Sequence, residues 1–282
     1  MRSRMFTRSM ISLLFAITSL CSFWFQLSAF SSSTNKKDQV KHSMMDLRND
    51  LGNKDQNNTQ STRNIFIDLG ANCGNSYKRL LKANQLNREG NWEVYLWEAN
   101  PQLIEFYLND IQSDELVPKN HVVDVIEAAA AASDGFVSFY LTAGQELIND
   151  KSQFPDKGRC DPDSVANPSG ASSLLSNKKR AGKPIEVKAI DFARWMNDDL
   201  KALEDDYLMI KIDIEGAELQ LLDRLMEVIP MGFCHVNKLF IEWHAFKFRD
   251  NETITEHTNY ANNFTSKYAQ VCGHHIELAA WH

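Results

Sequence analysis

The sequence predicts an α/β fold with a mostly parallel central sheet and helices on both faces. Two observations predict it. From Asn64 onward, short β-rich apolar runs alternate with helical patterns, and several of those runs stop on a glycine turn or an acid just before the next helix. Such alternation implies right-handed βαβ units, and strand ends that meet helix starts put ligand-binding groups along the carboxyl edge of the sheet.

Taken in order, strands are expected at 65–69, 93–97 and 121–126, with helices at 76–86 and 102–110 between them. A strand at 137–141 leads into a polar stretch, 142–184, that holds Pro155, Pro162 and Pro168. A connection of that length reads as a functional lid or a disordered segment. The pattern resumes with strand 185–190, helix 192–200, strand 207–212, helix 217–228 and strand 238–243, and closes with helix 253–269 and strand 276–280. No internal repeat interrupts it, so residues 64–282 are expected to form one domain.

The N-terminal part reads differently. Residues 10–30 carry no charged side chain, and as a helix rising about 1.5 Å per residue they would cross roughly 30 Å of hydrocarbon. Arg2, Arg4 and Arg8 precede this run while Lys36 and Lys37 follow it at a distance, which orients it as a type II signal anchor with a cytoplasmic tail at 1–9. The alternative is a signal peptide cut near Leu27-Ser28-Ala29, which would make the protein secreted. Residues 31–63 lack apolar periodicity and read as a solvated stem.

With that topology the domain faces the lumen of the endoplasmic reticulum or Golgi. Sequons at Asn57, Asn251 and Asn263 agree with a glycoprotein there. Cys73, Cys160, Cys234 and Cys272 would then form one or two disulfides whose pairing the sequence leaves open. A net charge of −7 and a single short basic run, Lys178-Lys179-Arg180, argue against a nucleic-acid partner.

Four segments carry candidate chemistry. Residues 65–76 run from an apolar strand through Asp68, Gly70, Asn72 and Gly74 into a helix; the glycines let backbone approach a ligand, and the helix start favours an anionic group. A dinucleotide fingerprint would want glycine where Asn72 and Asn75 stand, which weakens a nicotinamide reading. The strand ending at Glu98 presents an acid suited to both hydroxyls of a ribose, with Pro101 starting the next helix. Asp213, Glu215 and Glu218 crowd the end of the 207–212 strand; such acids either await a cation or donors, or serve as helix-start residues, with Glu218 closing a cap. Glu242 and His244, two apart, share a strand face and make a candidate carboxylate-supported general base.

Read together and in order, FIDLGANCGNS (66–76), WEANP (97–101), AAASDGFVSFY (130–140), ASSLL (171–175), KIDIEGAE (211–218) and FIEWH (240–244) resemble the FkbM family of S-adenosylmethionine-dependent methyltransferases, over about residues 64–248. The resemblance implies a class I Rossmann-like methyltransferase fold and O-methylation. It implies cofactor-binding positions at Asp68, Gly70, Asn72, Gly74 and Glu98, and places Asp213 beside the transferable methyl. The chain ends soon after the presumed sixth strand, which puts the family's closing antiparallel strand in doubt.

The expected catalytic residues are therefore Asp213 and His244, with Glu215, Glu218 and Glu242 orienting them or coordinating a divalent metal that three acids alone do not establish. A lumenal domain meets glycans, so the expected acceptor is a sugar hydroxyl, with a lipid or small-molecule hydroxyl as the rival. A non-catalytic lumenal binding module on the same fold is the alternative from another class.

Overall fold

The structure, a computed structural model, describes residues 62–142, 172–176 and 181–281. The chain divides into two units, Met1–Ser61 and Thr62–His282, and all described residues belong to the second. The expected tail, anchor and nearly all of the stem, the Asn57 sequon, Cys160 and most of the polar connection lie outside the described residues. No helix among the described residues is long and apolar enough to cross a membrane. Arg63, counted with the stem, belongs to the folded unit: its guanidinium donates to both the Asp206 carboxylate (2.6 Å) and the Lys201 carbonyl (3.0 Å).

The central sheet has six strands: β1 (Asn64–Leu69), β2 (Trp92–Glu98), β3 (His121–Glu127), β7 (Tyr207–Ile212), β8 (Lys238–Ile241) and β9 (Glu277–Ala280). Their spatial order is β3-β2-β1-β7-β8-β9, and every neighbouring pair is parallel. The chain first builds outward from β1 through β2 to β3, then returns to the other side of β1. That reversal opens a crevice outside the carboxyl ends of β1 and β7, where ligands bind in open α/β sheets.

Both faces of the sheet are covered, so its strands are apolar on both sides rather than alternating with polar residues. Ile65, Ile67 and Leu69 of β1 pack on one face with α3 (Phe192–Trp195, continued by a π turn), α4 (Glu218–Val228), α5 (Pro230–Cys234) and α6 (Asn251–Cys272). Phe66 points the other way and packs with Met209 and Phe240 against α1 (Asn75–Lys82) and α2 (Pro101–Leu103, also continued by a π turn). By the period of two, Asp68 and Lys211 continue this second face, directly opposite each other in the β1–β7 register.

One expectation needs correction. The runs at 137–141 and 185–190 are not central-sheet strands: β4 (Ala129–Ala131), β5 (Gly135–Thr142) and β6 (Ala181–Asp191) form a separate sheet in the order β4-β6-β5, with β5 antiparallel to β6. Too few residues separate β4 from β5 for a parallel crossover, so the chain turns back on itself. The doubt over the family's closing antiparallel strand holds: β9 is parallel to β8, and the long helix α6 supplies the crossover that parallel pairing requires.

Candidate active site at the carboxyl edge of the sheet

The first half of the site is the turn after β1. Gly70 has φ +80°, and a Cβ there would lie 2.0 Å from the Asp213 carbonyl oxygen, so glycine is required both by conformation and by the close approach of β7. The Gly70 and Ala71 amides donate to the Trp97 carbonyl at 3.0 and 2.8 Å, which locks the turn to the end of β2. Asn72 also adopts a left-handed backbone (φ 54°), and its amide donates to Glu98 Oε2 at 2.8 Å. Gly74, left-handed as well, leads into α1.

Glu98 thus organises the turn from across the crevice. Its Oε1 accepts from the amides of Ala99 (2.9 Å) and Asn100 (2.7 Å). Burial pushes its carboxyl up to about 7 even though three backbone N–H groups favour the carboxylate. Oε2 accepts one hydrogen bond and retains a lone pair for a further donor. Asp68, by contrast, is fully buried, and its Oδ1 accepts from the Lys211 ammonium at 2.9 Å; it supports the turn through Lys211, which also donates to the Gly70 carbonyl at 3.2 Å.

The second half gathers at the ends of β7 and β8. Asp213 lies just past β7, its amide bonded to the Leu69 carbonyl, and its carboxylate faces Lys211 at 3.2 Å. Burial would lower the Lys211 ammonium, but Asp213 and Asp68 outweigh it and hold it above its ordinary range. Burial raises the Asp213 carboxyl. Glu242 and His244 fall beyond β8, which ends at Ile241 rather than running to Trp243. The expected pair nonetheless converges: His244 Nε2 lies 3.3 Å from Glu242 Oε1, 3.5 Å from Asp213 Oδ1 and 3.7 Å from Glu215 Oε2.

His244 is 1% exposed, and its Nδ1 bonds Glu218 Oε1 at 2.7 Å. The same Glu218 oxygen accepts from the Gly216 amide, so this one side chain both ties down the turn before α4 and sets the imidazole's orientation. Burial opposes the imidazolium, yet Glu218, Glu242 and Glu215 raise the ring to about 9. Glu242 is lowered, its burial outweighed by His244. Glu215, in a left-handed backbone, is clasped through both oxygens by Lys247 at 2.9 Å.

Three contributors escaped the sequence reading. Lys211 looks like an interruption of an apolar strand, though a lone lysine in a doubly covered strand signals a buried acid partner, and Asp68 stands opposite it. Lys247 has no local signal. Ser173, within the quoted ASSLL stretch, is buried and donates to the Glu215 carbonyl at 2.8 Å, pinning the acid loop to β5 through its backbone pairing with Tyr140.

Residues 68–268 match the methyltransferase FkbM domain. The chain belongs to the FkbM methyltransferase family. No curated protein and no solved structure matches it. The match spans the Gly70 turn, Glu98 and the Asp213–His244 cluster together, so the domain is a methyltransferase on an α/β Rossmann-like fold whose two half-sites abut where β1 meets β7.

Proposed function

We propose that this FkbM methyltransferase takes its methyl group from S-adenosylmethionine and delivers it to a hydroxyl, that of a glycan in the secretory pathway. The observation that carries the reading is the contact between the two half-sites. Gly70 touches the Asp213 backbone, so a cofactor cradled by the turn and Glu98 has its sulfonium end beside Asp213 and His244.

In that arrangement the acceptor oxygen attacks the methyl carbon opposite sulfur. The O–C bond forms as the C–S bond breaks, its electrons stay on the neutral sulfur of S-adenosylhomocysteine, and the hydroxyl proton passes to the Asp213 carboxylate. Alignment and exclusion of water carry much of the catalysis. Glu218 keeps the imidazole aimed at the acceptor side.

Several features support the location and the acceptor class. Cys234 and Cys272 form a disulfide, and Cys73 is disulfide-bonded as well, which fits an oxidising compartment. Asn251 and Asn263 are exposed on α6, within reach of a lumenal glycosylation machinery. The uncharged run at 10–30 supplies the membrane tether.

The test is calorimetric titration with S-adenosylhomocysteine of wild type and Glu98→Ala, followed by transfer of labelled methyl to glycan, lipid and small-molecule acceptors. Micromolar binding lost in Glu98→Ala, with label in glycan, supports the proposal; no binding by a folded chain refutes it. A glycosidase-sensitive mass shift and protease protection in microsomes test the lumenal placement, and a fully unglycosylated, unprotected domain overturns it.

A further inference from the structure

We infer that Asp213, Glu242 and His244 form a binding site for a divalent transition-metal cation. The inference deepens the reading of this cluster as the acceptor end of the site, and rests on it.

One ligand atom from each of the three residues lies within 4.8 Å of the others. Atoms bound to one ion at about 2.1 Å lie roughly 3 to 4.2 Å apart around an octahedron, so the cluster needs only small side-chain shifts to close on a cation. The decisive group is His244. It is 1% exposed, and its Nε2 makes no hydrogen bond although three carboxylates surround it at 3.3 to 3.7 Å. A buried ring nitrogen aimed among acids, without a well-aligned hydrogen bond to any of them, calls for a further partner, and a metal ion between the ring and the acids supplies one.

The other side of the ring agrees. Nδ1 is held by the fully buried Glu218, and a carboxylate on the far nitrogen of a histidine fixes the tautomer and the aim of a metal-binding imidazole. Charge agrees too. Among the described residues, five carboxylates meet around the His244 ring, Asp68, Asp213, Glu215, Glu218 and Glu242, with the ammonium groups of Lys211 and Lys247 beside them. Lys211 is committed to Asp68 and the inner oxygen of Asp213, and Lys247 to Glu215, which leaves Glu242 and the outer oxygen of Asp213 facing Nε2.

The donor set selects the ion. One imidazole with carboxylate oxygens suits manganese or zinc better than magnesium or calcium, which favour oxygen alone. A cation there would hold the acceptor oxygen in line with the sulfonium and make its proton easier to lose.

The purified full chain, stripped by a chelator, is titrated with Mn²⁺ and followed by loss of the free-ion paramagnetic signal, with no cofactor or acceptor present. One Mn²⁺ per chain is expected, with the nitrogen modulation of a bound imidazole in spin-echo spectra. Glu242→Gln and His244→Gln each weaken binding by at least about tenfold, and Glu218→Gln by about 10–100-fold. Glu242 is partly exposed, so its variant reports even where His244→Gln fails to fold. No binding by a chain with a native unfolding transition, or binding that lacks nitrogen modulation and survives Glu242→Gln, overturns the site. S-adenosylhomocysteine titration separates the two readings: cofactor binding without Mn²⁺ binding sinks only this inference, while Mn²⁺ binding without cofactor binding sinks the proposed function.

Discussion

Lys211→Met tests the electrostatic keystone of the fold. The ammonium is 1% exposed and lies 2.9 Å from Asp68, 3.2 Å from Asp213, 3.2 Å from the Gly70 carbonyl and 5.6 Å from the Trp281 ring. Methionine keeps most of the volume but leaves the fully buried Asp68 without its cation. Breaking a buried pair from one side costs about 3–5 kcal/mol. In a domain of this size each kcal/mol moves Tm by about 2–4 °C, so a fall of about 6–20 °C is expected. Guanidinium titration should show the midpoint falling with an unchanged slope. Lys211→Met with Asp68→Asn removes both charges and should recover at least half of the loss, since an uncharged pair no longer carries the desolvation penalty. A single variant that loses less than about 1 kcal/mol, or a double variant no better than the single, would refute the reasoning.

Other outcomes follow from the same geometry. Gly70→Ala forces a side chain into a left-handed backbone, about 1–2 kcal/mol, and against the Asp213 carbonyl; S-adenosylhomocysteine affinity should collapse, and wild-type affinity in calorimetry would contradict the cradle. Because a ribose needs the Glu98 carboxylate and burial lifts that carboxyl to about 7, affinity should rise with pH and level off above about 7, falling on the order of tenfold per unit below it. Glu98→Gln should be weak and flat across the same range, and a flat wild-type profile would exclude Glu98 as the ligand. Ser173→Ala removes a buried hydroxyl bonded to the Glu215 carbonyl and should cost about 1–3 kcal/mol in urea unfolding, with the acceptor KM raised more than that of the cofactor. Replacing Cys234 and Cys272 by serine opens a closure spanning 38 residues and should cost about 3–4 kcal/mol, read as a midpoint shift, and reductant, which also opens the Cys73 bridge, should shift the wild type at least as far.

Much of the domain was legible because its signals are local. A strand, a turn and a helix start are neighbours in the chain, so Gly70, Glu98 and Asp213 announce themselves at strand ends, and the structure brings all three to one edge of the sheet. Element boundaries moved by a few residues, most at the end of α1 and the start of β6, and at β8 the shift takes Glu242 and His244 off the strand while they still converge. Asp68 is the instructive case among the expected cofactor positions, since its side chain turns inward to Lys211.

By itself the sequence determined the α/β alternation, the edge on which the chemistry gathers and the residue types that carry it, because period, turn chemistry and strand-end acids act within a few residues of one another. Only the tertiary structure decided the rest. Strand order and direction depend on crossover length and on which faces bury, so the β4-β6-β5 sheet and the parallel β9 could not be read from apolar runs. The pairing of Lys211 with Asp68, and the aim that Glu218 imposes on His244 across 26 residues, arise because burial leaves each charge only the partners that packing brings within reach.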